Sequence, residues 1–462
     1  MARELIADSD LRFEGFASYP NSAAFEPNSF LENASNVRII DGAIEPRKGS
    51  VLCATTSAGS SYVVASHGKT GDHIKVFGSN QEYLIDSGTI ISNPLISGYQ
   101  PVRGQGYAAS LCSETLDTDY VAGGNITERL VTAKNDQLRF TIYGGVRPNP
   151  PDTLSLVQCT YDNIKALVTA HNSILAFGSR SIYAIKAGIG YMASPKKTDS
   201  MHQVQKISSF DGVTGPDAVA SSGGITVFFD NNRIPGIKIM SGDKFSEGAE
   251  PMSTSIQDII DKTDKEKLDK VCVVAYCGRF YVTLPFTTGL VTSWKVLVLN
   301  PAIKGVFESL DTYPFDPSVL VVARKASVMK LFAFDANTGK IYMLEEGAFD
   351  SGATNSEPIP YEITTRNYMF RTMSDKKYES FSVHLDNATG SAVQIRAITI
   401  NPDSEQVIDK FTGAVGTTVR RGLINKRSMG VKLKVVVSSG RARILGLGLD
   451  ASIAGRSLFS IY

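Results

Sequence analysis

Short runs of alternating apolar and polar residues, each broken by a glycine or a polar turn, recur along most of this chain. Ser61–Ser66 and His73–Phe77 are two such runs, and Gln81–Asp86 follows the Gly78-Ser79-Asn80 turn. Ala166–Ala170 leads into Ile174–Phe177 and then Ser181–Lys186. Ala218–Ala220 leads through Gly223-Gly224 into Ile225–Asp230, and Val271–Tyr276 through Cys277-Gly278-Arg279 into Phe280–Leu284. Val296–Asn300 precedes Val306-Phe307, and Leu331–Asp335 turns at Asn337-Thr338-Gly339 into Lys340–Leu344. A period of two with turn residues at its ends is the signature of β-hairpins. One hairpin cannot bury its apolar face alone, so neighbours must stack. Recurrence every ~40–50 residues matches the blades of a β-propeller; an array of β-sandwiches is the other architecture the pattern allows.

The pattern changes at both ends. Before residue 50, Pro20, Pro27 and Pro46 interrupt any helix, and Val37–Ile40 meets the turn Asp41-Gly42, giving an extended lead-in over 1–50 that packs on the propeller. The propeller-like body spans 51–350 and a linker 351–360. Beyond it, 361–462 carries longer strands, such as Ala392–Ile400 and Val431–Val437. In the latter, Val431, Leu433 and Val435 alternate with Lys432 and Lys434, so one face is buried and one is wet. A small antiparallel sandwich is expected there. Ser253–Lys270 is the one helical stretch, with Ile256, Ile259 and Ile260 on one edge, a serine at its start and lysines in its second half. The expected fold class is all-β: a degenerate propeller with one inserted amphipathic helix, followed by a sandwich.

Charge sharpens this division. The 462 residues carry a net +1, but 361–462 hold fifteen Lys/Arg against eight Asp/Glu, about +7, which leaves about −6 for 1–360. A nearly neutral whole argues against a surface built to grip nucleic acid throughout. The basic residues Arg420, Arg421, Lys426, Arg427, Lys432 and Lys434 are the candidates for contact with an acidic partner or with passing DNA phosphates. The odd, scattered cysteines (Cys53, Cys112, Cys159, Cys272, Cys277) make no disulfide framework and point to a reducing compartment. The opening residues lack the apolar stretch of a signal peptide, and no run approaches the length of a membrane helix.

Candidate chemistry is sparse. His67, His73, His171, His202 and His384 stand in no metal-ligand spacing, and Cys272 and Cys277, with four residues between them, lack a second pair. The glycine clusters have no phosphate-loop lysine after them. Asp335–Gly339 resembles the start of a calcium loop but has no acidic residue at its twelfth position. No catalytic residue, cofactor site or metal site is expected, and the chain reads as a non-enzyme. Carboxylates are abundant, so a carbohydrate-active propeller enzyme is an alternative, as is a monomeric propeller scaffold; no pair of carboxylates stands out for glycoside hydrolysis.

Three features together resemble the tail nozzle, or tail hub, proteins of short-tailed bacteriophages. They are the lead-in Asn28–Leu31…Ser35-Asn36-Val37-Arg38-Ile39…Asp41-Gly42…Pro46-Arg47-Lys48-Gly49, the degenerate blades, and the ending Lys376–Leu385. Asp211-Gly212-Val213, Gly223–Phe229 and Cys277–Val282 fit the same group. The resemblance implies a structural protein of the virion tail, assembled in the host cytoplasm. It implies a ring of six below the portal and its adaptor, carrying fibres or spikes and conducting packaged double-stranded DNA without reading its sequence. A weakly charged conduit suits that role, because each neutralised phosphate would slow passage.

Overall fold

The computed structural model describes residues 5–10, 13–17, 30–57, 62–68, 71–92, 120–126, 129–134, 137–140, 156–158, 162–170, 173–186, 203–230, 232, 234–241, 250–303, 306–351, 356–368, 375–386, 389–400, 403–413, 416 and 418–453. They form two compact units. One comprises Ser50–Val296 and Tyr313–Leu344; the other comprises Met1–Gly49, Leu297–Thr312 and Glu345–Tyr462.

The first unit is the propeller. Among the described residues, five four-stranded antiparallel meanders and one six-stranded sheet form its six blades. Blade 1 runs from Tyr62–Gly68 to Thr89–Ser92, blade 2 from Tyr120–Ile126 to Leu156–Gln158, blade 3 from Ala166–Ala170 to Gln203–Ser208 and blade 4 from Val219–Ser222 to Glu250–Pro251. Blade 5 runs from Val273–Tyr276 to Phe307–Asp311, and that last strand is grouped with the second unit. Blade 6 takes Val319–Lys325, Val328–Asp335 and Lys340–Leu344 from late in the sequence, and its fourth strand, Ser50–Thr55, from early in it. The innermost strands of blades 2 to 6 pack in series, and that of blade 6 packs on that of blade 1.

This mixed sixth blade fastens the ring. Between blades 6 and 1, Val63, Ile74, Val76, Tyr83 and Ile85 pack on Ala323, Phe332, Phe334, Ile341 and Met343. Each fully buried large side chain stabilises by roughly 1.5–3 kcal/mol relative to exposure. Two carboxylates of blade 1 also cap backbone of blade 6: Asp72 accepts from the Arg324 N–H (2.6 Å) and Asp86 from the Ala326 N–H (2.7 Å).

The stretch Ser253–Lys270 is not one helix. It breaks into 3-10 turns at Ser253–Ile256 and Lys265–Lys270 around a single α turn, Gln257–Ile260. Its apolar edge is as expected, with Ile256, Ile259, Ile260 and Leu268 buried. Side chains interrupt the helix. The Thr263 hydroxyl donates to the Ile260 carbonyl (2.6 Å), and Asp264 caps the second piece by accepting from the Glu266 N–H (3.1 Å). The Ser253 hydroxyl accepts from the Ile237 N–H (3.2 Å) and caps no helix.

The second unit is a sandwich of two six-stranded sheets. One has the order Thr418–Ser428, Lys376–Asp386, Arg443–Ile453, Ala43–Pro46, Val37–Ile40, with Leu5–Asp10 also pairing with Arg443–Ile453. The other has the order Gly15–Phe16, Phe30–Ser35, Tyr361–Thr365, Gly430–Ser439, Ala392–Ile400, Ser404–Thr412. Alternate residues are buried as the sequence pattern requires, among them Tyr378, Phe381, Val383 and Leu385 in one sheet and Val431, Leu433, Val435 and Val437 in the other. The lead-in is therefore not a segment apart from the sandwich. Its strands are members of both sandwich sheets: beyond the pairs they make with one another, Phe30–Ser35 and Ala43–Pro46 find backbone partners on strands far along the chain. Within the expected linker, Phe349–Ser351 and Ser356–Pro358 pair as a hairpin.

Candidate functional site

The lead-in motif proves to be a buried polar hub of the sandwich unit. Asp41 (φ 53°) and Gly42 (φ 79°) both adopt left-handed backbone, the requirement of the tight turn that joins Val37–Ile40 to Ala43–Pro46. Arg47 is fully buried. Its guanidinium donates from Nη1 to Asp350 Oδ1 (2.9 Å), from Nη2 to Asp350 Oδ2 (2.5 Å) and the Thr312 carbonyl (2.7 Å), and from Nε to Asn36 Oδ1 (3.1 Å). Asn36 donates to the Pro360 carbonyl (2.8 Å) and to Thr312 Oγ1 (3.0 Å). Arg38 forks onto Asp311 (3.2 and 2.7 Å) and also pairs with Glu345. A Cβ on Gly49 would lie 1.8 Å from the Phe349 carbonyl oxygen. Asn36, Arg38, Asp41, Gly42, Arg47 and Gly49 of the motif thus have structural reasons. Net charge and composition do not reveal these pairs; charged residues within otherwise apolar strands, such as Arg38 between Val37 and Ile39, are their local sign.

The six basic candidates do not form one cluster. Lys432 and Lys434 lie on Gly430–Ser439, inside one sheet, and are matched by carboxylates of neighbouring strands: Lys432 with Glu32 (2.5 Å) and Lys434 with Glu362 (3.0 Å). Arg420, Arg421, Lys426 and Arg427 lie on Thr418–Ser428, the terminal strand of the other sheet. Arg420 is occupied: it pairs with Asp409 (2.6 Å) and sits 5.0 Å over the Phe411 ring. Its hydrogen bond holds the Asp409 carboxyl below the ordinary carboxylate range. Arg421, Lys426 and Arg427 have no ion-pair partner among the described residues. Register separates them by face. Arg421 is opposite Ser382 and Arg427 opposite Lys377 on the outer face, whereas Lys426 is opposite the buried Tyr378.

Within the propeller, Asp211, Lys238 and Asp230 form an ionisable cluster. Lys238 Nζ lies 2.5 Å from Asp211 Oδ1 and 2.5 Å from Asp230 Oδ2. Burial pushes the Asp230 carboxyl up. Burial also pulls the Lys238 ammonium down, but its two carboxylate partners outweigh that and raise it. Asp230 is completely buried and also accepts from Asn232, so this group joins strand ends and its inner carboxylate cannot touch a ligand.

The remaining sequence candidates have local roles. Asp335 accepts from the Asn337 and Thr338 N–H groups (2.9 and 3.3 Å) and the Thr338 hydroxyl (2.8 Å), which consumes its carboxylate in the turn. His73 lies within a strand of blade 1, where its Nδ1 is 2.9 Å from Glu82. Cys272 is buried with its thiol on the Leu320 carbonyl, and burial pushes that thiol up, while Cys277 is exposed in a turn. His171, His202, Cys112 and Cys159 lie outside the described residues. No group of three or more His, Cys, Asp or Glu side chains is arranged to hold a metal ion among the described residues.

No protein-family model matches the sequence, and no curated protein matches it. Solved structures that align with the chain include an exo-beta-1,3-galactanase from Phanerochaete chrysosporium, with 8% identity over 88% of this chain and 100% of that one, at a TM-score of 0.26. A glycoside hydrolase family 43 arabinoxylan arabinofuranohydrolase from Bacillus subtilis aligns with 9% identity over 86% and 95% of the two chains, at a TM-score of 0.25. The C-terminal domain of a chitobiase from Bacteroides fragilis aligns with 16% identity over 22% and 69%, at a TM-score of 0.17. At TM-scores this low the likeness says nothing about activity or ligand, and the propeller and sandwich rest on the strand pairing described above.

Proposed function

We propose that this chain is a structural subunit of a short-tailed phage tail nozzle, a ring of six that joins an adaptor and carries fibres or spikes. The observation that supports this reading is the use made of the lead-in motif. The residues that carry the resemblance, Asn36, Arg38, Asp41-Gly42, Arg47 and Gly49, are those that lock the N-terminal strands into a unit completed by the C-terminal hundred residues. Early and late strands, Leu5–Asp10 and Arg443–Ile453 among them, are thereby held in one sandwich, and the sheet closing the propeller takes a strand from before it. A conduit for DNA under pressure needs such a build. Pulling on either end loads whole ladders of hydrogen bonds and buried ion pairs and does not peel off a single strand.

Ring closure needs two different faces on one subunit, and the unequal charge of the two parts of the sequence suits that. The test is cross-linking of the purified 49.8 kDa chain, alone and with particles that lack it, followed by negative-stain imaging. Sixfold rings, or sixfold density restored to the particles, are the expected outcome. A chain that stays monomeric, adds to no particle and releases sugar from polysaccharides would overturn the reading in favour of a carbohydrate-active propeller.

A further inference from the structure

The outer face of the terminal strand Thr418–Ser428 is unfinished in two respects. Its apolar residues are on the wrong side: Leu423 is 77% exposed and Val419 48%, on an edge to which no further strand is hydrogen-bonded among the described residues. Its cations are also uncompensated. Arg427 lies directly opposite Lys377, a like-charge pair of the kind that destabilises a sheet, and neither has an ion-pair partner among the described residues. Several other cations of the same unit are matched: Arg396 with Glu405, Arg420 with Asp409, Lys432 with Glu32, Lys434 with Glu362 and Arg443 with Glu45. The outer face of this strand therefore holds Arg421 and Arg427 without a carboxylate partner among the described residues.

We propose that Thr418–Ser428 is a docking edge that accepts an acidic β-strand from a partner protein. Residues opposite each other in an antiparallel pair share a face. The incoming strand therefore places carboxylates across from Arg427 and Arg421 and apolar side chains across from Leu423 and Val419, while its main chain takes up the free edge. The alternation decides the kind of partner. Phosphates of DNA would use the arginines but leave Leu423 and Val419 in water, whereas a strand of alternating acidic and apolar residues covers both. Natural edges are commonly blunted by prolines, charges or bulges; this one has no proline, its register shifts at Asn425 (φ 47°), and its middle outer-face residue is Leu423.

The test uses the full chain and a short labelled peptide with Glu at the two positions facing arginine, Val or Leu at the two facing Val419 and Leu423, and Thr elsewhere. Fluorescence polarisation should show binding that weakens with salt. It should fall roughly tenfold or more in the variant Arg421→Glu/Arg427→Glu, the size expected for losing close opposite charges. It should also fall on N-methylation of alternate peptide amides, which removes main-chain hydrogen bonds and leaves charge intact. Both arginines are exposed, and thermal unfolding verifies that the double variant folds; Leu423→Lys is a second variant that spares the arginines and should weaken binding too. A peptide that does not bind, binding indifferent to N-methylation, or binding of a duplex oligonucleotide in preference to the peptide would each overturn the proposal.

Discussion

Arg47 shows why residue type is a poor guide to residue role. Composition counts it as one more cation, yet it is completely buried and each arm of its guanidinium has an acceptor. Burying two charges is costly unless geometry and remaining hydrogen bonds compensate, and here both do. Arg47→Met leaves the buried Asp350 without its forked donor, and the expected loss is about 3–5 kcal/mol. Chemical denaturation of the sandwich unit measures it. Replacing both partners, Arg47→Met with Asp350→Leu, should recover much of that loss, because no uncompensated charge remains; a double variant as unstable as the single would contradict this account.

At the scale of elements, turns carry the strongest local signal and also a visible fault. Asp41-Gly42 has the residue types its left-handed conformation demands. The hairpin between Val319–Lys325 and Val328–Asp335 does not: Ala326 (φ 48°) and Ser327 (φ 67°) occupy the same conformation with a Cβ on each. Left-handed backbone costs an ordinary residue roughly 1 kcal/mol. Ala326→Asn with Ser327→Gly should therefore raise the stability of the propeller by about 1 kcal/mol, read as a higher denaturation midpoint with unchanged slope. No gain would mean that neighbouring contacts select the present residues. The helical stretch teaches the converse. Its apolar spacing was legible and its buried edge is as expected, but Thr263 and Asp264 divert the backbone, and a period of 3.6 does not report such competition.

For the whole molecule, the consequence of the strand order is that the described strands before residue 49 are part of the sandwich. Phe30–Ser35 pairs with Tyr361–Thr365, and the Val37–Ile40 hairpin joins the sheet of Arg443–Ile453. Deleting residues 1–49 should leave the C-terminal segment without a folded core. Limited proteolysis should then cut within 361–462 while the propeller strands of blades 3 and 4 persist. A truncated chain whose C-terminal segment resists protease as the full chain does would show that the sandwich stands without the lead-in.

Alternation within a strand, turn chemistry and the buried parity of Val431, Leu433 and Val435 are set by neighbours one to four positions away, so the all-β class and the hairpin units were readable from the residue order. Pairing between distant strands has no such local code, because backbone hydrogen bonds are chemically alike whichever strands make them. That is why six blades, the early strand in blade 6 and the lead-in within the sandwich emerged only from the folded chain. The basic candidates divide for the same reason. Their cationic character belongs to the sequence, but whether a carboxylate stands across from each depends on register, which matches Lys432 and Lys434 and leaves Arg421 and Arg427 beside exposed Leu423 on an open edge.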